Sequence, residues 1–181
     1  SLTGLSNRYH LHHLLDTYLQ NMEEGTTGAL AVIHIRNFRL LNTTLGHAEV
    51  DRILLEVSQR LRMFNEDKRI ISARIGGGDF AIVLMNVSKN VEGMVSSIVD
   101  SLRRPIVLND DIIVIEVNAG LALCPRDATD TDNLFKCANL ALSTAKEKGE
   151  TEIVSFHPLM AEQSLVQMNM ISEMNRALDC N

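Results

Sequence analysis

Residues 69–85 read "RIISARIGGGDFAIVLM". Two apolar runs flank three consecutive glycines, Gly76, Gly77 and Gly78, and one carboxylate, Asp79, comes straight after them. Short runs rich in isoleucine, valine and alanine, separated by turn residues, are the pattern of a β-hairpin. Glycine lets a backbone reverse tightly without steric cost. Three glycines with an acid directly behind them need an explanation beyond chain reversal.

Outward from the hairpin, apolar spacing sets the remaining elements. Leu11, Leu14, Leu15, Tyr18 and Leu19 fall at helical spacing, with Ser6 or Asn7 as the cap. "ALAVIHI" (29–35) reads as a buried strand, and 37–45 as a short helical turn. The segment 46–64 is an amphipathic helix with Val50, Ile53, Leu54, Val57 and Leu61 on one stripe. A helix over 91–105 ends at Pro105, and 106–125 reads as a strand, an Asn-Asp-Asp turn and one long strand. A helix over 130–149 stops at Gly149, and "TEIVSF" (151–156) is a last strand. Hairpins mixed with crossovers indicate an α+β fold whose central sheet is mixed or antiparallel and flanked by helices. Beyond Pro158, Leu165, Met168, Ile171, Met174 and Leu178 are expected along one face of a further helix.

The chain has 181 residues, enough for one domain with a sizeable core. An apolar content of 45% with 22% charged residues is that of a soluble globular domain. A net charge of −6 without any basic cluster argues against a nucleic-acid surface. Cys124, Cys137 and Cys180 form no CxxC pair, which fits reduced thiols and a cytoplasmic location. No apolar stretch is long enough to span a bilayer, so this chain is expected to make no membrane contact; membrane anchoring of a larger parent protein stays open. His10, His12 and His13 read as a surface feature: the first and last stand at i, i+3 with no carboxylate partner. The abrupt start, "SLTGLSNR", reads as the edge of a piece of a longer protein.

"LTGLSNR", "NFRLLNTTLGHAEVD", "RIGGGDF", "NAGLALCP" and "ANLALSTAKEKG" occur in the order and spacing of the GGDEF domain, and over residues 1–157 the chain resembles that family. The resemblance implies the palm-like fold of nucleotidyl cyclases. In active members two GTP-loaded domains face each other, and carboxylate-bound metal ions support attack of a ribose hydroxyl on the other GTP's α-phosphate. The tail 158–181 resembles the connector that leads from a GGDEF domain into an EAL phosphodiesterase domain, and is read as a linker helix.

The same resemblance implies site residues. Asn42 and Asp51 sit where the family recognises guanine, and an amide and a carboxylate can pair with guanine's donor and acceptor edge. Lys146 matches a phosphate-contacting lysine, whereas Glu150 stands where the pattern often has arginine, weakening the phosphate grip. Gly76 and Gly77 leave room for phosphates to approach. The metal positions depart from the pattern. His34 and Arg36 replace an Asp-x-Asp, and Gly78 stands where the second metal carboxylate belongs, leaving Asp79 as the remaining acid. Mg²⁺ takes oxygen ligands, which neither imidazole nor guanidinium supplies. Losing one electrostatic stabiliser of a transferring phosphoryl group costs on the order of 10²–10³ in rate, and here two positions are changed. Arg36 admits two readings: a phosphate clamp that works without metal, or a partner for Asp79 across the site. The family's feedback motif, Arg-x-x-Asp, is replaced by Asp67, Lys68, Arg69 and Ile70.

The expected function is therefore a GGDEF domain with a degenerate site, which senses GTP or mediates dimerisation and regulates a downstream EAL phosphodiesterase domain. Asp79 is what remains of the catalytic signature, no metal ligand set is expected, and no cofactor is required. GTP is the candidate ligand, and a second copy of the chain a candidate partner. Two alternatives stand beside this reading: an active diguanylate cyclase, which would need Mg²⁺, and a scaffold that binds no nucleotide.

Overall fold

The computed structural model describes residues 2–87, 90–109, 111–147, 149 and 152–179, with the backbone alone at 173 and 175–179. Asp110 of the expected turn, Glu150, Cys180 and the side chain of Leu178 lie outside the described residues. Strands β1 (Ser6–Asn7), β2 (Gly28–Ile35), β3 (Ile70–Gly76), β4 (Asp79–Leu84), β7 (Val117–Cys124) and β8 (Ile153–Ser155) form one six-stranded sheet in the order β1-β3-β4-β2-β7-β8. β5 (Ile106–Leu108) and β6 (Asp111–Ile113) form a separate antiparallel ribbon. The helices are α1 (Arg8–Gln20), α2 (Phe38–Leu45), α3 (His47–Phe64), α4 (Val91–Leu102), α5 (Thr131–Glu147) and α6 (Pro158–Asp179).

The sheet is mixed, as expected for this α+β pattern. Its four inner strands are antiparallel, whereas β1 joins β3 and β8 joins β7 in parallel. β2 is its centre, paired along its length with β7 and over Ala29–His34 with β4. Alternate residues of β2 enter two cores. Ala29, Ala31, Ile33 and Ile35 meet Val57 and Leu61 of α3 and Val95 and Ile98 of α4. Leu30 and Val32 meet Leu11 and Leu15 of α1 and Leu134 and Ala138 of α5. A strand covered on both faces reads as a continuous apolar run, and each large side chain so buried contributes about 1.5–3 kcal/mol.

Four local details refine or correct the expected pattern. The long strand expected before Pro125 breaks at 114–116, although exposed Val114 and Glu116 still alternate with buried Ile115 and Val117, so the burial pattern carries no sign of the break. β1 is too short to leave a periodic signal. Asn7, not Ser6, caps α1 through its side chain, which accepts the His10 N–H at 2.8 Å. In the histidine cluster the middle residue, His12, carries carboxylate partners. His12 lies 3.1 Å from Asp16 and 3.0 Å from Asp132 and stacks on Phe135, linking α1 to α5. The Asp132 hydrogen bond leads in raising its pKa above the ordinary 6.5.

Met160 of α6 packs on Ala141, Ala145 and Val154. Further along, Leu165, Val166, Met168, Met170, Ile171 and Met174 are each more than half exposed. Leu165, Met168, Ile171 and Met174 step by three residues, so on a helix of 3.6 residues per turn they drift round the surface instead of lining one face. No helix among the described residues is long and apolar enough to cross a membrane.

α5 lies directly on β7 at Gly120. A Cβ there would stand 2.1 Å from the Ala138 carbonyl oxygen and 2.2 Å from the Leu142 nitrogen, both backbone atoms. Gly120→Ala is expected to lower stability in urea unfolding by about 3 kcal/mol, the upper range for overpacking, because a whole helix must shift. A loss below about 0.5 kcal/mol would show that α5 does not sit this close.

Candidate functional site

The three glycines have two different causes. Gly76 (φ +145°) and Gly77 (φ +50°) hold angles that L side chains rarely adopt. Gly76 is registered opposite Asp79, with an irregularity in the ladder between Arg74 and Gly76. The Arg74 guanidinium pins the turn by donating to the Gly77 carbonyl at 3.1 and 2.8 Å. Gly78 is different. A Cβ there would lie 2.6 Å from Cδ2 and 2.7 Å from Cγ of Phe38, the first residue of α2. Its carbonyl accepts the Ile35 N–H at 3.0 Å, tying the turn to the end of β2. The space a side chain at 78 would need is held by the Phe38 ring.

Sheet register aligns Asp79 (β4), His34 (β2) and Asn118 (β7) in one row. His34 Nδ1 meets Asp79 Oδ1 at 2.5 Å, with the side chains 25% and 42% exposed, so the pair is open to solvent. Asn118 is buried and donates to the Ala145 carbonyl at 3.2 Å, joining β7 to the last turn of α5. Arg36 does not reach Asp79, contrary to one of its two expected readings. Its N–H donates to the Glu116 carbonyl at 2.8 Å, and its guanidinium donates to the Glu116 carboxylate. The backbone bond draws the chain beyond β2 toward β7, while the β2–β4 register presents His34 to Asp79.

Asn37 enters α2 in the left-handed conformation (φ 52°) and makes no side-chain cap, and the first turn holds no acid. The first N–H groups of such a helix are open to an anion. Asn42 is half-buried on α2, and its carbonyl accepts the Gly46 N–H at 3.1 Å; Asp51 is exposed on α3. Lys146 is exposed in the last turn of α5, next to Ala145. Among the described residues the side chains of Asn42, Asp51 and Lys146 make no hydrogen bond or ion pair. They are polar groups with unused hydrogen-bonding capacity, and among the described residues they are hydrogen-bonded neither to one another nor to the His34–Asp79 pair.

At the place compared with the feedback motif, Asp67 accepts from the Arg69 backbone and guanidinium at 2.7–3.0 Å. The guanidinium is the main cause that lowers this carboxyl to about 2. Both ends of that segment satisfy each other. Among the described residues no group of three or more His, Cys, Asp or Glu side chains could hold a metal ion. One carboxylate bonded to an imidazole does not match the all-oxygen shell that Mg²⁺ prefers. Reading by sequence missed Phe38, Arg74, Glu116 and Asn118. Phe38, Arg74 and Asn118 each lie within a matched motif and were open to notice; Glu116, outside those motifs, becomes visible only through its pairing with Arg36 beside β7.

A sequence profile described as "Diguanylate cyclase, GGDEF domain" matches residues 1–152. The cyclic di-GMP phosphodiesterase PdeR of Escherichia coli K12 is 28% identical over 180 residues, covering 99% of this chain and 27% of that protein. The diguanylate cyclase TpbB of Pseudomonas aeruginosa is 31% identical over 153 residues, covering 82% of this chain and 35% of that protein. The solved GGDEF domain of PA1120 (TpbB or YfiN) from P. aeruginosa superposes with a TM-score of 0.80 at 26% identity, covering 92% of this chain and 98% of that one. The chain spans about a quarter of the length of the curated relatives that match nearly all of it.

The Phe38 ring gives the turn a direct test. Gly78→Glu is expected to cost about 1–3 kcal/mol of stability, because the new side chain must displace the ring. Truncating the ring in the same chain (Phe38→Ala) should make the added cost of G78E nearly vanish. Thermal unfolding of the four proteins in the cycle measures this, and equal costs of G78E in both backgrounds would show that Phe38 does not hold that space.

Proposed function

The chain belongs to the GGDEF domain family, and on that premise we propose that it is a guanine-nucleotide-binding regulatory module of cyclic-di-GMP signalling and not itself a diguanylate cyclase. The observation that carries this reading is the state of the acidic signature. Position 78 has no side chain and its space is taken by Phe38, position 34 is an imidazole, and that imidazole holds Asp79. A divalent ion bridging two phosphates needs several oxygen ligands, and this strand end offers one carboxylate, already engaged.

The nucleotide half of the site is better supplied. Asn42 and Asp51 have free hydrogen-bonding groups, and in this reading they face the edge of guanine. Asp51 accepts from the ring N–H and amino group, and the Asn42 amide donates to the carbonyl or ring nitrogen. Lys146 and the uncapped start of α2 supply positive potential for phosphates. Each of these groups binds or orients; none activates a ribose hydroxyl.

We assign α6 to coupling. The match to PdeR runs over 99% of the chain, whereas the match to TpbB covers 82%. α6 thus accompanies a relative named as a phosphodiesterase. In this reading α6 connects the nucleotide site to a following EAL domain, and nucleotide regulates it by binding two arrangements of the pair with different affinity.

Calorimetric titration with GTP in EDTA tests the nucleotide assignment. Saturable binding is expected, weaker for ATP, and weakened about tenfold or more by Asp51→Ala, since a hydrogen bond to a charged group contributes about 1.5–3 kcal/mol. No heat at millimolar GTP, or equal affinity for ATP and GTP unaffected by D51A, would remove the assignment.

A further inference from the structure

We propose that Glu116 is a built-in counter-anion that occupies the guanidinium of Arg36 and holds down the affinity of the site for phosphates. The inference rests on the nucleotide-binding reading above and assigns a role to a residue which that reading does not use.

Arg36 lies one residue beyond β2, where the chain turns into α2. Its side chain is 21% exposed, so the guanidinium is partly covered and not freely solvated. Glu116 lies in the short break before β7. Its backbone is fixed on both sides: Ile115 and Val117 are buried, and its carbonyl accepts the Arg36 N–H at 2.8 Å. The Glu116 carboxylate is different, 54% exposed and bonded to Arg36 alone among the described residues. A fixed Cα with a solvated carboxylate is the geometry of a side chain that can swing to water at little cost.

A guanidinium carries five N–H donors in a planar fork. Glu116 engages Nη1, so the remaining donors could still approach an incoming phosphate. Any phosphate that does so meets a cation whose charge is neutralised, with a carboxylate within a few ångströms. Either the carboxylate swings out or the two anions repel. Both routes make the intact site bind phosphates more weakly than its cations alone would allow. Asp79 does not play this part at Arg36, because His34 holds it.

The test is calorimetric titration of two probes in EDTA, GTP and inorganic pyrophosphate, into the full chain and into Glu116→Gln, Arg36→Gln and the double variant. E116Q is expected to bind more tightly by about tenfold, which lies between the bulk-water and protein-surface limits for one charge some 4–6 Å away and toward the water limit because Glu116 is half exposed. The gain should disappear in the R36Q background. Glu66→Gln, an exposed position in the turn that follows α3, removes the same net charge and is expected to change affinity less than twofold. Should E116Q fail to fold, Glu116→Ser removes the same charge and carries the same expectation. GTP binding to the unaltered chain with no gain in E116Q would overturn the counter-anion and leave the nucleotide reading standing. A gain for pyrophosphate without any GTP binding would support the counter-anion and remove the nucleotide reading. A gain that persists without Arg36, or no binding of either probe to any variant, overturns the proposal.

Discussion

The register of β2 between β4 and β7 is the constraint on which the rest depends. Antiparallel pairing on both sides fixes which residues of β2 face α3 and α4 and which face α1 and α5, because a slip of one residue would exchange the two faces. The same register sets the end of the strand. It places His34 between Asp79 and Asn118, and the step beyond it brings Arg36 to Glu116. Core packing and site geometry therefore have one cause.

At that end the turn between β3 and β4 is closed from three directions. Arg74 holds the Gly77 carbonyl, Ile35 holds the Gly78 carbonyl, and Phe38 covers the α-carbon of Gly78. A turn this constrained cannot simply accept an acid at its third glycine. The charges nearby are satisfied in pairs, His34 with Asp79 and Arg36 with Glu116, while Asn42, Asp51 and Lys146 keep their polar groups open. Within the GGDEF family this distribution supports a domain that recognises a nucleotide and performs no chemistry on it.

Much of the fold was legible because periodicity survives in the chain. β2, α3, the β3–β4 hairpin and α5 each carry either a continuous apolar run or a 3.6-residue stripe, since each is buried on a defined face. β1 was not legible, because two residues cannot show a period, and neither was the break before β7, because in–out alternation over 114–117 runs straight through it. The site was legible by residue type but not by pairing. That position 34 is an imidazole and position 78 has no carboxylate is plain from the letters. That His34, not Arg36, holds Asp79 depends on register, and that Phe38 fills the space over Gly78 depends on how α2 leaves β2.

The central claim is that this GGDEF domain binds a guanine nucleotide without converting it. Incubation of the chain with GTP and either Mg²⁺ or Mn²⁺, at concentrations high enough to populate any dimer, followed by chromatographic analysis of the nucleotides, tests it most directly. The account predicts that GTP is recovered unchanged. Accumulation of cyclic-di-GMP and pyrophosphate in proportion to enzyme would contradict it.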